Sequence, residues 1–437
     1  MIINRRMLKR WLAPTAEILW AVVALLFGLA IVLAGLSLSF RALVNPLMGG
    51  LERGWNSLLR STIGVESLDV SNHLLGGAFL LLGLALLWVG GKGIMNSFVR
   101  TLNPNIGPNM ATAYVRKQQL ARGPKIVCLG GGTGLSTLLR GLKSHSSNIT
   151  AIVTVTDDGG SSGRLSEELG IIPPGDMRNC LVALADAEKL MTDLFQYRFK
   201  GKSGSLSGHS LGNLLIAGLI EQSSGDFEKA LNMASEVLAI RGRVMPSSLE
   251  RIRLRALLED GSEVCGETKI VESGGRIRRL FIDPQDVQAY PEAIEAIEEA
   301  EMIVIGPGSV YTSVIPNLLV KGIPEAIRNS KAVKAYVCNV MTQPGESDAF
   351  SAAEHLLAIE ANVEHRLFEY ILVNTQVPSS AAVGKYRDRD QYPVEPDIDR
   401  IRSMGFRVKP GDFMSESDFV RHDPLRVTDA LMEIFHR

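Results

Sequence analysis

The segment that most constrains the fold is residues 125–180. It begins with a short apolar run, Lys125-Ile-Val-Cys-Leu129, breaks at Gly130-Gly-Gly-Thr-Gly134, and resumes with helical apolar spacing over 135–143. A second run, Ala151-Ile-Val-Thr-Val155, delivers Thr156-Asp-Asp-Gly-Gly-Ser-Ser-Gly-Arg164, and Pro173-Pro-Gly-Asp-Met-Arg-Asn179 follows. Continuous apolar strands alternating with helices imply a mostly parallel α/β sheet covered on both faces. Ligands bind such a sheet where strands end and helices begin. All three polar, glycine-bearing segments fall there.

The alternation continues along the chain. Helical spacing at 177–187, 191–198, 211–221 and 227–240 predicts a helix-rich insert, with a Ser- and Gly-rich loop at 204–209. Residues 263–271 and 276–282 read as a strand pair across Ser273-Gly-Gly275. A helix at 291–300 precedes a buried strand, Met302-Ile-Val-Ile305, closed by Gly306-Pro-Gly-Ser309, and a helix starts near Tyr311. Further strands are expected at 332–340, 370–374 and near Phe406, a surface loop at 377–399, and a last helix at 424–435.

The first hundred residues are of a different kind. Residues 18–38 carry no charge and are long enough for a hydrocarbon core, which takes about 20 residues; 74–90 is at the short end of that range. Trp20 and Trp88 lie near span ends, where indoles favour the interface. Arg5, Arg6, Lys9 and Arg10 precede the first run. Lys92, Arg100, Arg116, Lys117, Arg122 and Lys125 follow the second, with no acid among them. The positive-inside rule then predicts a two-span inner-membrane hairpin with both termini and the main domain in the cytoplasm. A cleaved signal peptide, a twin-arginine signal at Arg5-Arg6 and a pair of buried soluble helices are the competing readings. Between the runs, Leu51, Trp55, Leu58 and Leu59 recur at helical spacing and suit the membrane surface or a packed loop helix. The expected organisation is a hairpin at 1–100, a linker at 101–122 and an α/β domain at 123–437.

Charge and cysteine usage narrow the function. A net charge of −1 over 437 residues does not favour nucleic acid as a partner. Of Cys128, Cys180, Cys265 and Cys338, none forms a C-x-x-C pair and three lie in apolar runs, as reduced core thiols of a cytosolic domain do. No metal-ligand spacing joins the cysteines and histidines.

The candidate site is drawn from the polar segments. At Gly131, Gly132, Thr133 and Gly134, free amides and the helix dipole favour an anion, and glycine lets the backbone approach a phosphate. The spacing is neither G-x-G-x-x-G nor a P-loop, so the loop indicates a phosphate or nucleotide without naming a cofactor. A tight structural turn is the alternative. Asp157 and Asp158 suit sugar hydroxyls or, with Asp176, a divalent cation such as Mg²⁺; solvated loop acids are the plainer reading. Ser161, Ser162 and Arg164 extend that loop as flexible donors. Asp176 also fits a helix cap, and Arg178, beside Asn179, fits a partner for a phosphate or for Asp176. His209, Ser210 and Asn213 lie at a helix start, either facing a ligand or forming a cap with a buried polar pair. Gly306, Gly308, Ser309, Tyr311 and Thr312 repeat the strand–glycine–helix logic, so two loops of one sheet would grip a nucleotide diphosphate. No nucleophile elbow or catalytic cysteine context is present, and the arginines at 251, 253, 255, 276, 278 and 279 read as solvated faces.

Taken in order, these motifs resemble the bacterial gluconeogenesis factor family (YvcK-like). The resemblance is carried by Gly130–Gly134, Thr156–Arg164, Pro173–Asn179, Gly208-His-Ser-Leu-Gly-Asn213, Ile305–Ser309 and Cys338-Asn-Val-Met-Thr-Gln-Pro-Gly345. It covers about 125 to the C-terminus, and the wider superfamily includes the 2-phospho-L-lactate transferases. The resemblance implies a Rossmann-like nucleotide-binding domain and a regulator that binds a UDP-sugar, of the UDP-N-acetylglucosamine type. It also implies a need for the protein in cell shape and envelope synthesis during gluconeogenic growth. The hairpin departs from the commoner soluble form and implies tethering near envelope-synthesis proteins. A homo-oligomer is expected, with the helical insert as one interface. The rival expectation is a Mg²⁺-dependent nucleotidyl or phosphoryl transferase resembling the phospholactate enzymes. A hydride-transferring oxidoreductase has only the glycine loop in its favour.

Overall fold

The apolar runs on either side of the first glycine turn lie side by side. In the computed structural model, which describes residues 5–39, 69–102, 110–200, 204–363, 365–380, 384, 390–416 and 420–436, the chain divides into two units, 1–117 and 118–437. In the second unit, β1 (Ile126–Gly130) and β2 (Ile149–Val153) pair in parallel register, from Ile126 with Ile149 to Gly130 with Val153. Strand β3 (Arg243–Pro246) adds parallel to β2. The chain then leaves the sheet for a three-stranded antiparallel insert of β4 (Arg253–Leu258), β5 (Glu263–Cys265) and β6 (Ile277–Asp283), ordered β5-β4-β6. It returns as β7 (Met302–Ile305), β8 (Val333–Val337), β9 (Tyr370–Asn374) and β10 (Arg407–Gly411). A small pair follows, β11 (Met414–Ser415) and β12 (Arg421–His422).

The main sheet has seven parallel strands in the order β10-β9-β8-β7-β1-β2-β3. The chain winds one way from β1 and the other way from β7. Winding therefore reverses between these two neighbours, and their C-terminal ends leave a crevice. Every residue of β1, β2 and β7 is buried. Helices cover both faces, so the strands do not alternate and are apolar apart from the buried Thr150. The helix Gly132–Leu142 packs on Gly175–Leu184 and on the C-terminal helix Pro424–Phe435. Gly141 permits the second contact, because a Cβ there would overlap the Pro424 carbonyl and the Thr428 hydroxyl.

Three local expectations change. The Gly-Ser segment after Asp158 is a helix, Gly160–Leu169, and not a flexible loop. Its buried serines bond to neighbouring elements, which offsets poor helix propensity. The strand expected at 263–271 stops at Cys265, and Glu267–Ser273 is helical. The partner of β6 is β4, which takes the arginine-rich stretch; Arg253 is exposed and Leu254, Ala256 and Leu258 are buried.

In the first unit, helices Arg5–Ser39 and Asp69–Leu102 pack along each other. Glycines allow the close approach: a Cβ at Gly83 would lie 2.8 Å from the Val32 amide, and one at Gly28 3.0 Å from the Gly83 carbonyl. The stretches Leu19–Leu36 and Gly76–Ile94 are long and apolar enough to cross a membrane. Leu19, Trp20, Leu26, Phe27, Leu81 and Trp88 are exposed on them. The amphipathic piece at Leu51, Trp55, Leu58 and Leu59 lies outside the described residues, as does 103–109 of the linker. A helix, Met110–Ala121, forms the rest of the linker.

Overpacking at Gly141 gives a direct check on the helix contact. Gly141→Ala is expected to destabilise unit 118–437 by about 2 kcal/mol. Gly218→Ala, where a Cβ meets nothing within 4 Å, serves as the control and should be neutral or stabilising by up to about 1 kcal/mol. Thermal unfolding of both variants measures the difference, and equal Tm values would contradict the packing.

Candidate functional site

The crevice between β1 and β7 is a cavity of about 520 Å³. Its floor is two backbone loops in contact: a Cβ at Gly134 would overlap the Pro307 carbonyl, and one at Gly308 would lie 3.5 Å from the Gly131 carbonyl. Asn317, fully buried, ties them together by donating to the Gly130 carbonyl at 3.1 Å and the Ser313 carbonyl at 2.8 Å. Gly132 has φ +62°, a backbone that favours glycine. Beyond the second loop, Val310–Val314 is a π-helical turn continued by the helix Ile315–Leu319. Such turns often mark functional sites.

Of the residues singled out from sequence, Gly131, Gly132, Thr133, Gly134, Asp157, Asp176, Gly308, Ser309 and Thr312 line the cavity. Asp176 is the second residue of the helix Gly175–Leu184. It lies under the first glycine loop, so close that a Cβ at Gly131 would sit 2.5 Å from its Oδ2. Burial raises its pKa to about 6, the charge of Asp157 adds to this, and the Gly132 amide and Arg178 oppose it. Asp157 accepts from the Gly159 amide at 3.0 Å. Burial raises its pKa as well, against the Gly159 and Ser162 hydrogen bonds.

The other predicted residues lie around the cavity without lining it. Asp158 turns to the insert and accepts from the Thr268 amide at 2.9 Å and hydroxyl at 2.6 Å, capping the helix Glu267–Ser273. Ser162 accepts from the Gly175 amide at 2.9 Å. Ser161 meets His209 Nδ1 at 3.0 Å and accepts from Asn213 Nδ2 at 3.1 Å. Arg178 donates to Ser210 Oγ at 2.6 Å, Asn213 Oδ1 at 2.8 Å and Asn179 Oδ1 at 2.9 Å. These groups form one buried polar network that fastens the helices behind Asp176. Ser210 is also the cap of Leu211–Gln222. Arg164 donates to the Ser207 carbonyl at 2.8 Å, Tyr311 to the Ile277 carbonyl at 3.3 Å, and Gly306 packs under Val337.

Several lining residues were not singled out. Asn339 follows β8 and holds the second loop twice, donating to the Gly308 carbonyl at 2.9 Å and accepting from its amide at 3.2 Å. Thr342, Gln343 and Gln391 continue that wall, and Arg421 and His422 come from β12. The strand-end rule that flagged the two glycine loops applies equally to β8. Glu267 arrives from the insert and has no local signal. Its pKa is raised, by burial first and then by Asp157 and Asp176. His422 is lowered to about 4 by burial, so its ring is neutral near pH 7, and neither ring nitrogen has a hydrogen-bond partner among the described residues. The wall is thus acidic on one side and amide-rich on the floor, and on the other it is polar and uncharged apart from Arg421. No lining hydroxyl is hydrogen-bonded to a histidine among the described residues.

A seven-stranded parallel sheet with its cavity at the reversal point defines a Rossmann-like α/β protein. The chain belongs to the CofD family, in its gluconeogenesis factor branch. The family described as 2-phospho-L-lactate transferase CofD matches residues 126–414. The gluconeogenesis factor of Bacillus subtilis is 47% identical over 312 residues, covering 71% of this chain and 98% of its own length. A Nostoc sp. relative, provisionally described as a gluconeogenesis factor, is 44% identical over 427 residues, 97% of this chain and 92% of its own. That alignment extends into the N-terminal unit. The crystal structure of a UPF0052 family member from Bacillus halodurans superposes with a TM-score of 0.68 at 48% identity, over 71% of this chain and 99% of that one.

The raised pKa of Asp176, about 6 against an ordinary 3.8, means the folded state holds this proton more tightly. Its stabilising contribution is full below about pH 4 and lost as pH rises through about 6. Asp176→Asn is therefore expected to raise Tm by about 2–4 °C at pH 8 and to leave it unchanged at pH 4. Differential scanning fluorimetry at the two pH values tests this; the same shift at both would contradict it.

Proposed function

We propose that the protein is a membrane-anchored regulator that binds a nucleotide sugar, of the UDP-N-acetylglucosamine type, in the cavity between β1 and β7. The observation that carries this reading is the meeting of two backbone loops with uncharged polar side chains on one wall. Amides at a helix N-terminus suit a diphosphate, and Asn339, Thr342, Gln343 and Gln391 suit hydroxyl and amide groups of a sugar. Asp157 and Glu267 are acceptors for further sugar hydroxyls. The absence of a paired nucleophile and base from the described lining favours binding over turnover. The relatives named gluconeogenesis factor support a role in gluconeogenic growth; a role in cell shape and envelope synthesis is part of the proposal. The signal would pass to envelope-synthesis proteins at the membrane, and the protein would act as a homo-oligomer.

The transferase reading needs a cation between the acids and the phosphates. Asp158 is turned towards Thr268, and among the described residues no three His, Cys, Asp or Glu side chains converge as metal ligands. The carboxylates therefore fit a magnesium ion poorly, and no step is routed through one.

Isothermal titration of UDP-N-acetylglucosamine into the protein tests the binding reading. Saturable one-site binding is expected, and Gly132→Val, which forces a branched side chain into φ +62°, should weaken it at least about tenfold. Failure of every UDP-sugar to bind at millimolar concentration would sink the proposal. The anchor is tested separately. The full chain should stay in the membrane pellet after alkaline carbonate washing, and a chain starting at Gln118 should be released; a soluble full chain would contradict anchoring.

A further inference from the structure

The helix Leu211–Gln222 is apolar on two sides. Its inner side, with Gly212, Asn213, Ile216, Ala217 and Ile220, is buried. Its outer side carries Leu211, Leu214, Leu215 and Leu219, which at i, i+3, i+4 and i+8 form one continuous stripe. None of these four is buried: Leu215 is 38% exposed and the others are half-buried. A helix that is apolar all round belongs in an interior, yet nothing among the described residues buries this stripe. The helix Glu188–Phe195 packs beside it and widens the apolar surface. Phe195 turns inward, so close that a Cβ at Gly212 would lie 2.6 Å from its ring. Leu190 and Leu194 stay outside, 65% and 46% exposed. Tyr197, 51% exposed, joins the two surfaces, because its carbonyl accepts from the Leu211 amide at 2.8 Å.

The exposed parts of these residues amount to about 500 Å² of apolar surface, at the upper end of what a monomer leaves uncovered. A stable interface takes about 800 Å² from each partner, and in homodimers about two-thirds of that area is apolar. The patch therefore has the area that one half of a homodimer needs. The charged residues next to it along the two helices are of both signs. Lys189 and Arg198 are balanced by Asp193 and Glu221; all four are exposed, and none forms an ion pair among the described residues. An apolar centre with both signs at its rim suits an identical surface related by a twofold axis, where each base can face an acid. An anionic lipid surface would call for bases alone.

We infer that the outer sides of Glu188–Phe195 and Leu211–Gln222 form the twofold surface through which one copy of this chain binds a second. The inference rests on the homo-oligomer of the proposed function, gives it a surface, and does not depend on which ligand fills the cavity. The paired helix also backs onto the network behind Asp176. On its inner side Asn213 accepts from Arg178 at 2.8 Å and donates to Ser161 at 3.1 Å, and at its start Ser210 accepts from Arg178 at 2.6 Å. A second copy that buries the outer stripe steadies the helix that carries these groups.

Size-exclusion chromatography with multi-angle light scattering tests this on a chain starting at Gln118, which needs no detergent; the Bacillus halodurans structure shows that a chain of this extent folds alone. Wild type should have twice the monomer mass at concentrations on the order of 10 µM, and Leu215→Glu and Leu190→Glu should each raise the dissociation constant at least about tenfold. Each variant puts a carboxylate into the apolar centre of the patch. A wild type still monomeric at on the order of 100 µM overturns the inference, and if that monomer sediments with phosphatidylcholine vesicles the patch belongs to a bilayer. A dimer that both variants leave intact overturns it as well. Should Leu215→Glu fail to fold, Leu190→Glu, on the other helix and more exposed, decides the question. Titration of UDP-N-acetylglucosamine into the same samples reads the ligand separately, so a failed interface and a failed ligand are told apart.

Discussion

Everything at the cavity depends on how closely two backbones approach at Gly134. The helix after β1 and the loop after β7 meet there with no room for a side chain, because a Cβ would overlap the Pro307 carbonyl. That contact exists because the sheet reverses its winding between β1 and β7, which brings two strand ends from distant parts of the chain together. Asn317 locks the arrangement, with one amide nitrogen shared between the Gly130 and Ser313 carbonyls. The buried polar network of Ser161, Arg178, Ser210 and Asn213 fixes the helices behind it. Neither loop forms this floor alone.

The carboxylates follow a common pattern. Asp176 sits at the Gly132 amide, Asp158 at the Thr268 amide, and Glu346 at those of Tyr311 and Thr312. Each serves a helix N-terminus contributed by another segment, which satisfies orphan amides and suits the dipole. The cost is a concentration of acids around one crevice. It is visible in the raised pKa values of Asp157, Asp176 and Glu267, and in Glu346, raised to about 7 by burial. The same groups that serve these helix ends therefore also set the charge of the crevice.

Much of the framework was legible in the sequence, for a physical reason. Strands buried on both faces are continuous apolar runs, and β1, β2, β7 and β9 stand out as such; the helix Pro424–Phe435 shows its period plainly. The segment after Asp158 was not legible as a helix. Gly160, Ser161, Ser162 and Gly163 are poor helix formers, and what holds them is tertiary: Ser161 with His209 and Asn213, Ser162 with Gly175. Strand β4 was hidden by its arginines, although Ile252, Leu254, Ala256 and Leu258 carry a period of two. At the site, residues after β1, β2 and β7 were found, while Asn339 after β8 and those arriving from elsewhere were not. Glu267 enters through the insert, and His422 through a two-residue strand. Conversely, Asp158 and His209 have the chemistry of ligand groups, but the fold directs them to other parts of the protein.

The central claim is that both glycine loops serve one ligand, phosphates on the first and sugar on the second. A crystal structure of the protein with UDP-N-acetylglucosamine tests it most directly. The account predicts the diphosphate against the amides of Thr133 and Gly134, and the sugar within hydrogen-bond distance of Asn339 or Gln343. A ligand held by only one loop, or bound outside the crevice between β1 and β7, would contradict it.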